Sequence, residues 1–293
     1  MSQALDQEIA AALDRSGLRV RGFRRISPIR PAEPRRSVYR IDLDSGRTIK
    51  ARLVPDEETA RRLFKICRAL PEAFAPAFGC HGAVLLEDWI DGEELGDKPP
   101  SDAQLIEAGS LLAQLHAMPV VAGCWVHDMR STAARREKAD AGLLEVLAAG
   151  EIDEENALLI RRALERLDPG RAVFGLAHTD LCGENMVVDR AGRLRVVDNE
   201  RVGVDALGFD VARTWYRWAL PAPAWERLRS TYAARAPFTE PLETFDFWSV
   251  VAVVHSAAIR LRKDRARAHV PLDRLRRMAA TIGDRQTPCR KRR

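Results

Sequence analysis

The chain has 293 residues, 46% hydrophobic and 30% charged, with 18 Gly and 16 Pro, a composition that excludes low-complexity disorder and leaves ample apolar material for a core. Its formal charge of +5 is unevenly spread. Between Arg217 and Arg293 lie 17 basic and 7 acidic residues, whereas the preceding part holds 30 basic and 35 acidic. The longest apolar runs, such as Val250 to Val254, fall far short of the roughly 20 residues a membrane span needs. Five widely separated cysteines without a C-x-x-C pair point to a reducing, cytoplasmic setting rather than a disulfide framework or a zinc site.

Leu5, Ile9 and Leu13 recur at helical spacing, and the acidic N-terminus does not read as a secretory signal. Leu18 to Ile29, Ser37 to Leu43 and Thr48 to Val54 read as strands, the last two joined by a turn at Asp44-Ser45-Gly46. Asp56 to Leu70 reads as a helix and Ala83 to Ile90 as a further strand. Beyond Gly92 the pattern turns helical: Asp102 to Met118, Thr132 to Leu147, Glu154 to Leu167, Asp210 to Leu220, Ala224 to Ala234 and Leu242 to Lys263. Short strands at Ala172 to Ala177, Met186 to Val188 and Leu194 to Val197 interrupt it. The expected organisation is α+β and two-lobed. A small antiparallel β-rich lobe (1–91, with a connection at about 86–91) precedes a larger helical lobe (92–293, with a basic tail at about 284–293), leaving a cleft between them.

The chemistry concentrates between Ala172 and Trp218. A buried-looking strand ends in His178-Thr179-Asp180, Asn185 follows five positions after the aspartate, and Asp198 closes the strand Leu194 to Val197. Oxygen ligands on loops at strand ends suit Mg²⁺, which retains sites for water and phosphate. A further carboxylate, Asp180, is then available to take the proton of an attacking hydroxyl.

His178-x-Asp180-Leu181-x-x-x-Asn185, followed by a strand and Asp198-x-Glu200, resembles the core of the aminoglycoside phosphotransferase and choline kinase group, small-molecule kinases of protein-kinase-like fold. The preceding segment Ala108 to Ala117, which contains Leu115-His116, and Gly208-Phe209-Asp210-Val211-Ala212 are also similar to that group. The resemblance implies an ATP-dependent kinase in which Asp180 is the base or orienting carboxylate. It also implies that Asn185 and Asp198 are magnesium ligands, with His178 and Asp210 as supports.

On Thr48 to Val54, alternation puts Lys50 and Arg52 on one face, and either is a candidate for the phosphate cation. Glu58, with Glu57, is the candidate ion-pair partner on the following helix. The loop Pro28 to Ser37 lacks glycine, so Ser37, Arg35 and Arg36 are the candidate phosphate contacts there. The backbone of Leu86 to Ile90, including Glu87 and Trp89, is the candidate purine rest, with Trp89 either a wall of that site or a core residue. Trp215, Trp218, Trp225 and Trp248 read as helix packing more readily than as ligand stacking. Glu240, Glu243 and Asp246 would furnish an acidic acceptor pocket, which the basic excess of the same region disfavours. The partners expected are a nucleotide and a small hydroxylated acceptor. Nucleic acid is disfavoured, because Arg260 to Arg267 and the terminal Cys289 to Arg293 come without a recognition motif. A nucleotide-sensing pseudokinase is the alternative.

Overall fold

The computed structural model describes residues 6–27, 37–96, 98–120 and 131–286, with side chains as far as 283. In chain order the elements begin with α1 (Gln7–Arg15), β1 (Val20–Arg25), β2 (Ser37–Leu43), β3 (Thr48–Leu53), α2 (Glu57–Ala69), β4 (Ala77–His81), β5 (Val84–Asp88) and β6 (Gly92–Glu94). There follow α3 (Asp102–Ala117), α4 (Thr132–Ala148), α5 (Glu154–Leu167), β7 (Phe174–Ala177), β8 (Met186–Asp189), β9 (Leu194–Val196) and β10 (Gly203–Ala206). The chain continues with α6 (Leu207–Trp218), α7 (Ala222–Arg235), α8 (Glu240–Glu243), α9 (Phe245–Lys263) and α10 (His269–Gln286). The fold is α+β, a five-stranded antiparallel sheet followed by a mainly helical part.

The sheet has the order β1-β2-β3-β5-β4. Alternation along β2 sends Tyr39, Ile41 and Leu43 into one face, where they meet Ile9 and Leu13 of α1 in a closed apolar cluster. The opposite face carries Lys50 and Arg52 toward the cleft. Beyond its edge α2, capped by the Asp56 side chain at the Thr59 N–H (2.7 Å), buries Leu63, Ile66 and Cys67 against β4 and β5.

Two short sheets carry the site. β7 pairs with β10, and β6 pairs with β8, which pairs with β9. The hairpin of β8 and β9 turns at Gly192, whose φ of 77° lies in the left-handed region. Under these sheets lies α3, capped reciprocally by Ser101 and Gln104, while α9, whose Val250 to Val254 run is entirely buried, packs among α4, α6 and α10. Trp248 is also fully buried, its indole against Gly208 and its Nε1 donating to Thr244 Oγ1 at 3.0 Å.

Several elements go beyond the sequence expectation. β4, β6, β10 and α10 were not anticipated, and the helix expected from Asp210 starts three residues earlier, at Leu207. β6 and β10 are only 3 and 4 residues long and are defined by their partners rather than by a pattern of their own. Leu5, the loop residues Arg35 and Arg36, and Cys289 to Arg293 lie outside the described residues.

Candidate active site

The cleft between the sheet and the helical part has a volume of about 730 Å³. Its floor begins where β7 ends. The His178 and Thr179 backbone N–H groups both donate to the carboxylate of Asp210, at 2.6 and 2.7 Å. Thr179 has φ 61°, a left-handed conformation that costs a non-glycine residue about 1–3 kcal/mol and persists only where its surroundings hold it. Asp210 does the holding from the first turn of α6. His116 Nε2 of α3 lies 3.1 Å from the same carboxylate, and its Nδ1 lies 2.8 Å from the Tyr232 hydroxyl of α7. Burial opposes the Asp210 charge, but the His116 hydrogen bond and the nearby imidazoles outweigh it and hold the carboxyl below its ordinary range.

That bend presents Asp180, whose side chain is 20% exposed. Its backbone N–H donates to His178 Nδ1 at 3.3 Å. The buried His178 titrates below the usual histidine range, because desolvation outweighs the nearby aspartates. Asn185, at the end of a single 3₁₀ turn, donates its amide to the Asp180 carbonyl at 2.8 Å. The turn packs tightly: a Cβ on Gly183 would overlap the Gly96 carbonyl, and the Gly96 N–H donates to Gly183 O at 3.0 Å. The Val197 N–H then donates to Asn185 O at 3.0 Å, which sets Asp198 beside Asn185. Asp198 is exposed in the cleft.

From the opposite side Lys50 Nζ donates to the Val197 carbonyl at 2.7 Å, bridging β3 to the residue before Asp198. Its pKa is lowered, chiefly by burial, which Glu87 partly offsets. Arg52 is 1% exposed and gives both Glu87 oxygens a hydrogen bond, at 2.8 and 2.7 Å. Lys50 Nζ lies 3.7 Å from the same carboxylate. Desolvation raises the Glu87 pKa, but Arg52 and then Lys50 overcome it, so the group titrates below the usual range. Lys50 and Glu87 are direct partners in the β3–β5 register. Alternation alone identifies Lys50 and Arg52 as sharing a face; the strand pairing identifies their counter-ion.

Two expectations are corrected. Glu58 does not reach Lys50: it is exposed in the first turn of α2, and the carboxylate at the cation is Glu87, contributed by β5 because register places it opposite. Ser37 does not face the cleft, because it alternates with Tyr39 on the α1 side of the sheet and is 1% exposed. Ser27 lines the cleft instead, its Oγ accepting from the Val38 N–H at 3.0 Å. Trp89 also lines the cleft, with the Arg40 guanidinium 5.4 Å over its ring. Trp215, Trp225 and Trp248 pack within the helical part, the first two against Phe245 at 5.6 and 5.7 Å. Glu240 is tied to the Val173 N–H and Thr244, away from the cleft lining.

The sequence reading missed the arginines around Asp180. Arg217 Nε donates to Asp180 Oδ1 at 2.8 Å and Arg213 at 3.2 Å, while Arg213 also holds the Thr179 carbonyl at 3.1 Å. Burial raises the Asp180 pKa, but Arg217 and then Arg213 win and keep it below the ordinary aspartate range. The spacing signal was present: Asp210, Arg213 and Arg217 stand at i, i+3 and i+7 on one helix face. His255 on α9 is pushed down to about 3 by burial, with Arg213 and Arg135 adding to it.

A strained strand-end loop bearing Asp180, an asparagine five residues on, an aspartate after a β-hairpin and a lysine from the third strand define a protein-kinase-like phosphotransfer fold. The model of the phosphotransferase enzyme family matches residues 35–248, and the chain belongs to that family. By that membership it is a phosphotransferase. Similar solved structures include a macrolide 2'-phosphotransferase type I (17% identity, 93% of this chain and 98% of that one, TM-score 0.64). An ADP-bound aminoglycoside phosphotransferase shares 16% identity over 95% and 99% of the two chains, TM-score 0.63. The choline kinase LicA from Streptococcus pneumoniae shares 11% over 93% and 98%, also with TM-score 0.63. No curated protein gives a significant sequence match.

Proposed function

We propose that the protein is a kinase that transfers the γ-phosphoryl group of ATP to a hydroxyl of a small molecule, with Mg²⁺, in a reducing cytoplasmic setting. The observation that carries the reading is the convergence on one cleft of Lys50 from β3, Asp180 from the loop after β7 and Asp198 from the end of β9, with Asn185 hydrogen-bonded to the Asp180 carbonyl at 2.8 Å. In this reading the sheet of residues 1–91 covers the nucleotide and residues 92–293 bind the acceptor. The purine rests near Trp89, beside the chain connection.

The donor set suits magnesium. Asn185 spends its amide N–H on the Asp180 carbonyl, which leaves Oδ1 as the ligand atom, and Asp198 supplies an exposed carboxylate beside it. Asn185 and Asp198 would hold the ion, which supplies charge neutralisation at the phosphates. Lys50 offers a further positive charge, because Arg52 is already committed to Glu87. Asp180 orients the acceptor hydroxyl and takes its proton. Catalysis is then mainly positioning and electrostatics.

The test is Asp180→Asn, followed by ADP release and by ATP titration. Turnover falls by at least about 100-fold, as expected for loss of a general base, while ATP affinity stays within a few-fold. Retained turnover removes Asp180 from this role.

A further inference from the structure

The acceptor end of the cleft is lined by two helical stripes. Arg213, Tyr216 and Arg217 occupy i, i+3 and i+4 on α6. Ser256, Ile259, Arg260 and Lys263 occupy i, i+3, i+4 and i+7 on α9. The Arg213 Nη1 to Ser256 Oγ hydrogen bond, 2.8 Å, locks the stripes side by side. Neither contains an acidic residue. Arg201, three residues after Asp198, adds another exposed cation to the lining.

The surrounding acids neutralise this wall only in part. Asp180 engages Arg213 and Arg217, Arg217 is further paired to the exposed Glu184 at 2.9 Å, Asp88 is tied to Arg47, and Asp91 to Arg190 at 3.2 Å. Among the described residues Arg260 is paired only with the half-exposed Asp264, at 3.5 Å, and Lys263 has no ion-pair partner. Glu94, Asp198 and Glu200 line other parts of the cleft, Asp198 and Glu200 on the loop beneath Lys50 and Arg52. The basic excess visible along the C-terminal third thus enters the cleft through Arg260 and Lys263 of the Arg260 to Arg267 run.

We infer that the acceptor is an anionic hydroxyl compound, whose carboxylate or phosphate is gripped by Arg217, Arg260, Lys263 and Arg201 while its hydroxyl meets Asp180. This rests on the kinase reading above. A positively charged amino alcohol would meet a row of cations instead of the acidic pocket it requires, whereas an anion is drawn in and oriented. Its negative group also competes with Asp180 and Glu184 for the Arg217 guanidinium, loosening those ion pairs as the hydroxyl arrives. The acceptor oxygen then bonds to the γ-phosphorus of ATP, the bond from that phosphorus to the β,γ-bridging oxygen breaks, and its electron pair leaves with ADP. The hydroxyl proton passes to the Asp180 carboxylate.

The experiment compares matched acceptors with Mg-ATP at low and high ionic strength: gluconate, glucose and glucosamine; glycerate, glycerol 3-phosphate, glycerol and ethanolamine. The anionic member of a set should exceed its neutral counterpart in kcat/KM by about ten-fold or more, with the cation slowest and salt eroding the preference. Comparing glycerate with glycerol 3-phosphate tells carboxylate from phosphate. In Arg260→Gln/Lys263→Gln, at half-exposed and exposed positions, KM for the anion rises about ten-fold while kcat changes little. ATP titration of the same variant verifies its fold. A neutral or cationic acceptor performing as well as the anion, or an undiminished preference in the double variant, overturns the inference.

If no acceptor turns over, thermal shifts of the Mg-ADP-loaded enzyme with gluconate and glycerol 3-phosphate decide. Stabilisation that is lost in the double variant supports the inference, and its absence overturns it with the kinase reading intact. Failure to bind Mg-ATP at all removes the kinase reading, and the inference with it.

Discussion

Glu87 binds both Arg52, through two hydrogen bonds of 2.8 and 2.7 Å, and Lys50, at 3.7 Å, from the strand next to β3. The strand cation is therefore fixed from within the sheet rather than from α2. This arrangement makes Arg52 structural and leaves Lys50, 12% exposed, at the cleft with its ammonium on the Val197 carbonyl.

Glu87→Gln removes the counter-charge of two buried cations. It should destabilise the fold by about 3–5 kcal/mol, the usual cost of breaking a buried ion pair, and weaken ATP binding through a displaced Lys50. Glu58→Gln, at an exposed position, should change stability by less than about 0.5 kcal/mol and leave ATP binding alone. Urea unfolding and nucleotide titration of both variants check this. Equal effects would return the pairing role to α2.

Arg217→Gln tests the electrostatics at Asp180. With Arg217 present the carboxyl is held low, so it stays ionised well into the acid range and the acid limb of kcat/KM lies below the usual aspartate pKa. Removing that guanidinium lets burial reassert itself, raising the pKa, and the limb moves to higher pH. An unmoved limb would mean that Asp180 is not the titrating group.

Asp210→Ala removes the acceptor of two backbone N–H groups and the partner of His116. A loss of about 3–5 kcal/mol at neutral pH is expected. Because the folded pKa of Asp210 is depressed, its stabilisation is fully present above the unfolded aspartate pKa and is lost as pH falls through the folded value. The variant's stability should therefore fall less steeply with acid than the wild type's, which unfolding curves at a series of pH values resolve.

The sequence made much of this legible, and the limits are physical. His178, Asp180, Asn185 and Asp198 could be read because they belong to one short continuous stretch whose spacing reflects a loop, a turn and a hairpin. Strand alternation was enough to put Lys50 and Arg52 on one face. Glu87 was assigned only a backbone role beside the purine, since its side-chain partnership depends on β3–β5 register, a pairing that crosses 37 residues from Lys50. Ser37 was misread although β2 begins where expected: alternation with the period of two puts it on the same face as Tyr39, Ile41 and Leu43, against α1 and away from the cleft. Arg260 and Lys263 stand out in the sequence only as part of a basic run without a recognition motif; their place in the cleft depends on α9 packing against α6. β6 and β10 carry no pattern of their own and exist through their partners.

The most direct test of the central claim is calorimetric titration of ATP, with and without Mg²⁺, into the wild-type protein and Asp198→Ala. Magnesium-dependent binding by the wild type that is lost in the variant is the predicted result. ATP binding that is indifferent to both magnesium and Asp198, or no binding at all, would contradict a phosphotransfer site built on Asn185 and Asp198.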